Sequence, residues 1–277
     1  MGGEASADGN DDLLVAGAGH LSADLSGCAL TVFTYVPHSE PRGCLLLFSG
    51  LGRNARQSRD DAVGIADRAG LTVFAPLMNE ADFPMWRYNR AGLVRRRELQ
   101  PPERWTAPVL QSLVDWVQHR RGKPSLPTYL LGFSAGGQLL SRVCAYTPLA
   151  RVTRFVICSP SVYTAPTMEK RVPFGFRGIF QEEQAEQCLR RYLAAPITIY
   201  LGTHDTGNRL LAASPQALWQ GVNRLDRGRH MIQMAIKLAE QKNWITNWRL
   251  VEAAGIGHSM KGMLGAPECG EALCDRS

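Results

Sequence analysis

The chain has 277 residues, of which 45% are hydrophobic and 20% charged; this excludes disorder, collagen-like repeats and coiled coils and suits one domain with a sizeable core. Its 31 Lys and Arg against 25 Asp and Glu leave a net charge of +6. The basic clusters Arg95-Arg96-Arg97, His119-Arg120-Arg121 and Arg190-Arg191 lie in separate segments without a nucleic-acid-reading motif, so no nucleic-acid partner is expected.

Residues 1–12 are Gly-rich and acidic and read as a flexible N-terminal arm, without the basic stretch and apolar run of a secretory leader. A single domain is expected over residues 13–265, followed by a C-terminal tail at residues 266–277. Short β-rich runs then recur in chain order at Leu30–Val36, Cys44–Phe48, Leu71–Ala75, Thr128–Phe133, Arg154–Cys158, Ile197–Tyr200 and Trp248–Glu252. Most are unbroken apolar strings, the pattern of strands buried on both faces of a mainly parallel sheet. The first two are expected to form a hairpin across Pro37–Pro41. Helical candidates fall at Ala55–Arg68, Pro108–His119, Ala135–Tyr146, Glu182–Tyr192 and Ala217–Gln241. The alternating order predicts an open, twisted α/β sheet with helices on both sides. Apolar runs such as Cys44–Phe48 fall far short of the ~20 residues a membrane-spanning helix needs, so no span is expected. The seven cysteines are an odd number without metal-ligand spacing and read as reduced thiols in a cytoplasmic protein. Cys269 and Cys274 are the one pair close enough in sequence to bridge, which keeps an exported location open, as does a removed leader.

The strongest local signal is Tyr129-Leu130-Leu131-Gly132-Phe133-Ser134-Ala135-Gly136-Gly137, a strand running into Gly-x-Ser-x-Gly and directly into a helix. A serine on such a sharp turn needs neighbours without a Cβ, and the turn exposes its Oγ at the carboxyl end of the sheet. As a bare pattern the motif also fits an ordinary turn; the strand before and the helix after give it meaning. A serine hydroxyl is a poor nucleophile at neutral pH and needs a histidine base and an orienting carboxylate, arriving in the order Ser, Asp or Glu, His. Asp205 in Gly202-Thr203-His204-Asp205-Thr206 follows a strand, and His258 in Gly255-Ile256-Gly257-His258 follows the last one. An Asp there also suits a helix N-cap. Of the other histidines, His20 and His38 precede the sheet proper, His119 and His230 fall in or beside helices, and His204 suits a loop surface.

Acyl transfer also needs amide donors for an oxyanion, one after the nucleophile and one from the loop after an early strand. Ala135 supplies the first; Leu51, then Gly52, in Ser49-Gly50-Leu51-Gly52-Arg53-Asn54 supplies the second. The spacing of these glycines matches neither nucleotide-binding pattern. Gly52, Arg53, Trp86, Tyr88 and Asn89 are candidate substrate contacts; the last three, with Phe83, lie on the loop after Leu71–Ala75 and combine aromatic surface with polar groups, the alternative being aromatics packed into the core. Arg53, Arg87 and Arg90 are expected either to converge at the mouth and favour carboxylate-bearing substrates, or to bridge loops to Glu80 and Asp82.

The chain resembles the α/β-hydrolases, and among them the polyhydroxybutyrate-depolymerase-like and feruloyl-esterase-like serine esterases, from about Leu45 to Met263. Gly50-Leu51-Gly52-Arg53-Asn54-Ala55, Phe83-Pro84, Tyr88-Asn89, the Gly132 to Gly137 elbow, Gly202 to Thr206, Gln220 to Arg224 with Arg227-Gly228, and Gly255 to His258 carry the likeness. The resemblance implies an α/β-hydrolase fold with Ser134, Asp205 and His258 as nucleophile, acid and base, Leu51 and Ala135 as oxyanion donors, and neither metal nor other cofactor. It departs at Ser49, where the family usually has His, and at Phe133, often His as well. Residues 159–196, where lids are often inserted, are few enough to predict a minimal lid. The expected activity is hydrolysis of a small-molecule or oligomeric carboxylic ester through an acyl-enzyme. A peptidase, an acyltransferase or a binding protein without turnover on the same fold remain alternatives.

Overall fold

A computed structural model describes residues 14–25, 27–121 and 126–274; the proposed arm at residues 1–12 lies outside them. In chain order the elements are β1 (Gly17–Asp24), β2 (Ala29–Val36), β3 (Gly43–Phe48), α1 (Ala55–Asp61), α2 (Val63–Ala69), β4 (Leu71–Pro76), β5 (Val94–Arg95), β6 (Glu98–Leu99), α3 (Ala107–Arg121), β7 (Thr128–Phe133), α4 (Ala135–Tyr146), β8 (Arg154–Cys158), α5 (Glu182–Ala194), β9 (Ile197–Gly202), α6 (Pro215–Leu218), α7 (Arg224–Lys242), β10 (Arg249–Ala253), α8 (Met260–Gly265) and α9 (Glu268–Leu273). Eight strands form one sheet in the order β1-β2-β4-β3-β7-β8-β9-β10. The β1–β2 and β2–β4 pairs are antiparallel and the rest parallel. This is the α/β-hydrolase fold.

Every residue of β3, β4, β7, β8 and β9 is buried, as the continuous apolar runs require of strands covered on both faces. Alternate side chains then divide between two cores. Leu46, Leu130, Ile157 and Ile199 face α3, α4, α5 and α7. Leu45, Leu47, Leu131, Val156 and Tyr200 face α1, α2, α8 and α9. Because every parallel strand points the same way, the loops after β3, β7, β9 and β10 emerge at one edge of the sheet, where α/β proteins build their sites.

Several expectations are corrected. Residues 30–36 and 44–48 do not form a hairpin: β4 lies between β2 and β3, and β2 pairs instead with β1. The small, polar string of β1 gave no apolar signal because it is an edge strand with its first half largely in solvent. The helix expected over residues 55–68 is broken at Ala62, and that over residues 217–241 begins afresh at Arg224. There the Asn223 side chain accepts from the Asp226 amide at 2.8 Å, a regular N-cap. The tail expected from residue 266 is structured as far as Cys274, with Cys269, Ala272 and Leu273 of α9 packed in the core. Cys269 and Cys274 are both free thiols. Residues 159–181 contain no helix or strand beyond a single bridge between Arg171 and Arg177 and make the minimal lid. Among the described residues no helix is long and apolar enough to cross a membrane.

Candidate active site

Strand β7 passes into α4 through Ser134, held at φ 52° and ψ −106°, a strained conformation for a residue with a Cβ. The turn is possible because its neighbours have none: a Cβ on Gly132 would run into the Gly136 carbonyl, and one on Gly136 into that of Phe48. The Ser134 amide donates to the Cys158 carbonyl at 2.9 Å, fixing the elbow to β8. Its side chain makes no capping bond to α4, so the Oγ is available to other partners.

His258 lies on the loop between β10 and α8. That loop crosses the end of β9, where a Cβ on Gly202 would collide with the Ile256 carbonyl, and it is tied down by the His204 amide donating to Ile256 at 2.9 Å. The imidazole Nε2 stands 3.2 Å from Ser134 Oγ, and Nδ1 stands 2.7 Å from Asp205 Oδ2. With the proton on Nδ1, the ring donates to the carboxylate and accepts from the serine hydroxyl. Phe133 stacks against the imidazole with centroids 4.7 Å apart and planes 28° from parallel.

Asp205 is buried and caps no helix; the next one, α6, is capped by Ser214. Its second oxygen receives Arg224 Nη1 at 3.5 Å, and Arg224 Nη2 donates to the Arg209 carbonyl at 2.8 Å. Burial draws the Arg224 guanidinium below its ordinary value, against the pull of Asp205. Three residues further along α7, Arg227 donates to the carbonyls of Gly221, Ser161 and Ala212. Two buried arginines one turn apart thus hold the loop after β9. The pattern Arg224-Leu225-Asp226-Arg227 was visible in sequence, but nothing local marks an arginine as internal.

Ala135 is the first residue of α4, so its amide has no partner within the helix. Gly50 packs against the elbow, where a Cβ would lie 3.7 Å from that of Ser134. The Leu51 amide that follows has no hydrogen-bond acceptor among the described residues. Leu51, Ala135 and Ser134 line the same cleft, and the positive end of α4 points at it. The arrangement can activate a hydroxyl and stabilise an oxyanion beside it.

No family model matches the chain, and no curated protein does. Among solved structures, poly(aspartic acid) hydrolase-1 from Sphingomonas sp. KT-1 is 32% identical, with a TM-score of 0.81 over 90% of this chain and 96% of that one. The chain belongs to the α/β-hydrolase family. A poly(3-hydroxybutyrate) depolymerase from Bordetella parapertussis is 29% identical, with a TM-score of 0.82 over 93% of this chain and 90% of its own. A serine hydrolase without a lid from Xanthomonas campestris shares the fold at 14% identity and a TM-score of 0.51, covering 96% and 99%.

The cleft of this α/β-hydrolase encloses about 1200 Å³. Of the candidate substrate contacts, Asn89 lines it, with a buried Oδ1 that has no hydrogen-bond partner. Tyr88 does not: it is buried, donates to the Ser49 carbonyl at 2.6 Å, and has the Arg53 guanidinium 3.5 Å above its ring. Arg53 is itself buried and donates to the Phe83 carbonyl, so both hold the loop after β3 from behind. Trp86 faces a separate small cleft with Arg95 over its ring, and Gly52 is absent from the lining. The expected convergence of Arg53, Arg87 and Arg90 is corrected as well. Arg87 donates to the Asp82 carbonyl and leaves only Arg90 in the cleft. The lining that sequence reasoning missed includes Gln138, Arg142, Ser161, the lid residues from Glu169 to Phe174, and Leu210 to Gln216 after β9.

Proposed function

We propose that this hydrolase cleaves carboxylic esters through an acyl-enzyme, without a cofactor, on small-molecule or oligomeric substrates. The observation that carries the reading is the unbroken line from Ser134 Oγ through His258 to buried Asp205, at 3.2 and 2.7 Å. Ser134 Oγ attacks the carbonyl carbon as its proton passes to His258 Nε2, and the carbonyl oxygen gathers charge beneath the amides of Leu51 and Ala135. Collapse breaks the bond to the leaving alcohol, which takes the proton from His258; Asp205 supports the imidazolium meanwhile. Water then enters, gives a proton to His258 and frees the acid, and Ser134 recovers its hydrogen.

Two relatives of similar likeness are named for different polymers, poly(aspartic acid) and poly(3-hydroxybutyrate). The second is an ester and supports the leading reading. The first is joined by amide bonds and supports the same steps with an amine as leaving group, the peptidase-like alternative. A panel of p-nitrophenyl esters of graded length, 3-hydroxybutyrate oligomers and aspartate oligomers, with a fluorophosphonate probe alongside, tests the reading. Labelling and ester turnover that both vanish in Ser134→Ala support it. A chain that neither labels nor turns over any member is a binding protein on this fold.

A further inference from the structure

Among the described residues six cationic side chains line the cleft beside Ser134, namely Arg90, Arg97, Arg142, Lys170, Arg171 and Arg177, against the single carboxylate of Glu169. Among the described residues none of the six has a carboxylate within ion-pair distance. The lining therefore carries a local excess of positive charge.

Arg142 is the informative member. It is only 3% exposed, and its one hydrogen bond is from Nη1 to the Gln138 carbonyl, while Nε is buried without a partner. A buried guanidinium in that condition is costly unless a ligand completes it. Burial, with the like charge of Arg90 adding to it, draws Arg142 down to about 10, so it remains a cation near neutrality. Two like charges that act on each other in one cleft wall, one of them buried with an unpartnered Nε, form a place suited to an anion. The register places it: Ser134, Gln138 and Arg142 follow one another at four-residue intervals along α4 and all line the cleft. Helical side chains lean toward the N-terminus, so the guanidinium tilts back toward the nucleophile from about 12 Å along the axis.

We infer that the cleft binds a polyanionic chain whose units carry carboxylates, with Arg142 and Arg90 together gripping a carboxylate a unit or two from the carbonyl held at Ser134. Arginine suits this because its planar fork meets a carboxylate with two parallel hydrogen bonds. The outer cations, Arg97, Lys170, Arg171 and Arg177, then receive further units. A volume of about 1200 Å³ exceeds the roughly 300–1,000 Å³ typical of single small-molecule pockets and has room for several units. The inference rests on the proposed function for the place of the reacting carbonyl, and it narrows the substrate to an acidic oligomer in preference to a neutral polyester.

The test separates binding from turnover by using full-length Ser134→Ala and a fluorescein-labelled poly(aspartate) oligomer, with anisotropy as readout and neutral 3-hydroxybutyrate oligomers as competitors. The aspartate oligomer is expected to bind, to weaken as salt rises, and to resist displacement by the neutral oligomer. Adding Arg142→Gln should weaken binding by about tenfold or more, the worth of a charge-assisted bidentate contact. Arg90→Gln, at an exposed position, serves if the buried variant does not fold, with an expected loss of roughly fivefold. Arg97→Gln should cost about two- to threefold and flatten the salt dependence. No binding of the aspartate oligomer by a chain whose Ser134 form hydrolyses neutral esters would overturn the inference and leave the proposed function standing. So would binding that folded Arg142→Gln and Arg90→Gln leave unchanged. Specific binding by a chain with no ester or amide turnover would uphold the subsite and overturn the proposed function.

Discussion

Arg224 and Asp205 meet 3.5 Å apart with side chains 2% and 1% exposed. The pair joins α7 to the loop that carries the carboxylate and leaves Asp205 one oxygen for His258. Removing one partner of a buried pair strands the other charge, at a cost of about 3–5 kcal/mol. Arg224→Met is therefore expected to lower the melting temperature steeply. In Arg224→Lys, which keeps a charge but loses the contact to Arg209, kcat should fall more than KM changes, because a misplaced Asp205 disturbs the reacting step. Unaltered stability and kcat in both variants would show that Asp205 is held without Arg224.

In the proposed mechanism His258 moves the proton, and in His258→Ala kcat should drop by roughly 10⁴-fold or more. Asp205→Asn keeps the shape but changes the charge and the favoured imidazole tautomer, so its loss should be large and yet smaller. Steady-state kinetics on one p-nitrophenyl ester ranks the two. A more severe loss in Asp205→Asn would reverse the roles argued from the geometry.

The parts of the site legible in sequence are those that follow strand ends. Ser134 sits between a buried strand and a helix among glycines, while Asp205 and His258 stand one loop beyond β9 and β10, and the structure brings the three within hydrogen-bond reach. What stayed hidden depends on which way a side chain turns. Trp86 and Tyr88 are two residues apart in one loop, yet one faces a separate cleft and the other is sealed under Arg53. Arg142 stands among apolar neighbours in α4, where an arginine reads as surface, and only the lid and the loop after β9 make its position a cleft floor. Those walls have no periodicity to read. Likewise β1 and α9 escaped notice, the first because an edge strand needs few apolar residues, the second because a six-residue helix gives too short a pattern.

Tyr88 supports the loop after β3 through its hydroxyl. Tyr88→Phe leaves the Ser49 carbonyl without its donor, and an unmatched buried polar group costs about 1–3 kcal/mol. Thermal melts should show that loss, while selectivity across the ester series stays within about twofold, as for a residue that never meets substrate. Trp86→Ala should leave selectivity equally unmoved. A shift in chain-length preference in either variant would return the residue to the substrate pocket.

Burial pushes the Cys269 thiol from its ordinary 9.0 up to about 12. Between those values the native chain keeps a proton that the unfolded chain releases, so stability falls as pH rises, by up to about 1.4 kcal/mol per pH unit for one group. The contribution is fully present below pH 9.0 and is lost as pH climbs through about 12. Urea midpoints at pH 8 to 11 should decline less steeply in Cys269→Ala than in the parent. Parallel declines would place the alkaline loss elsewhere, in groups such as Cys158 and Tyr200 that burial raises in the same way.

The central claim is a covalent acyl group on Ser134 during turnover. Rapid acid quench of the chain with a slowly deacylating p-nitrophenyl ester, followed by peptide mass mapping, tests it directly. The account predicts a mass increase equal to the acyl group on the peptide carrying Ser134, formed in step with the p-nitrophenol burst and absent from Ser134→Ala. Turnover without any adduct at Ser134, or an adduct on another residue that persists in Ser134→Ala, would contradict it.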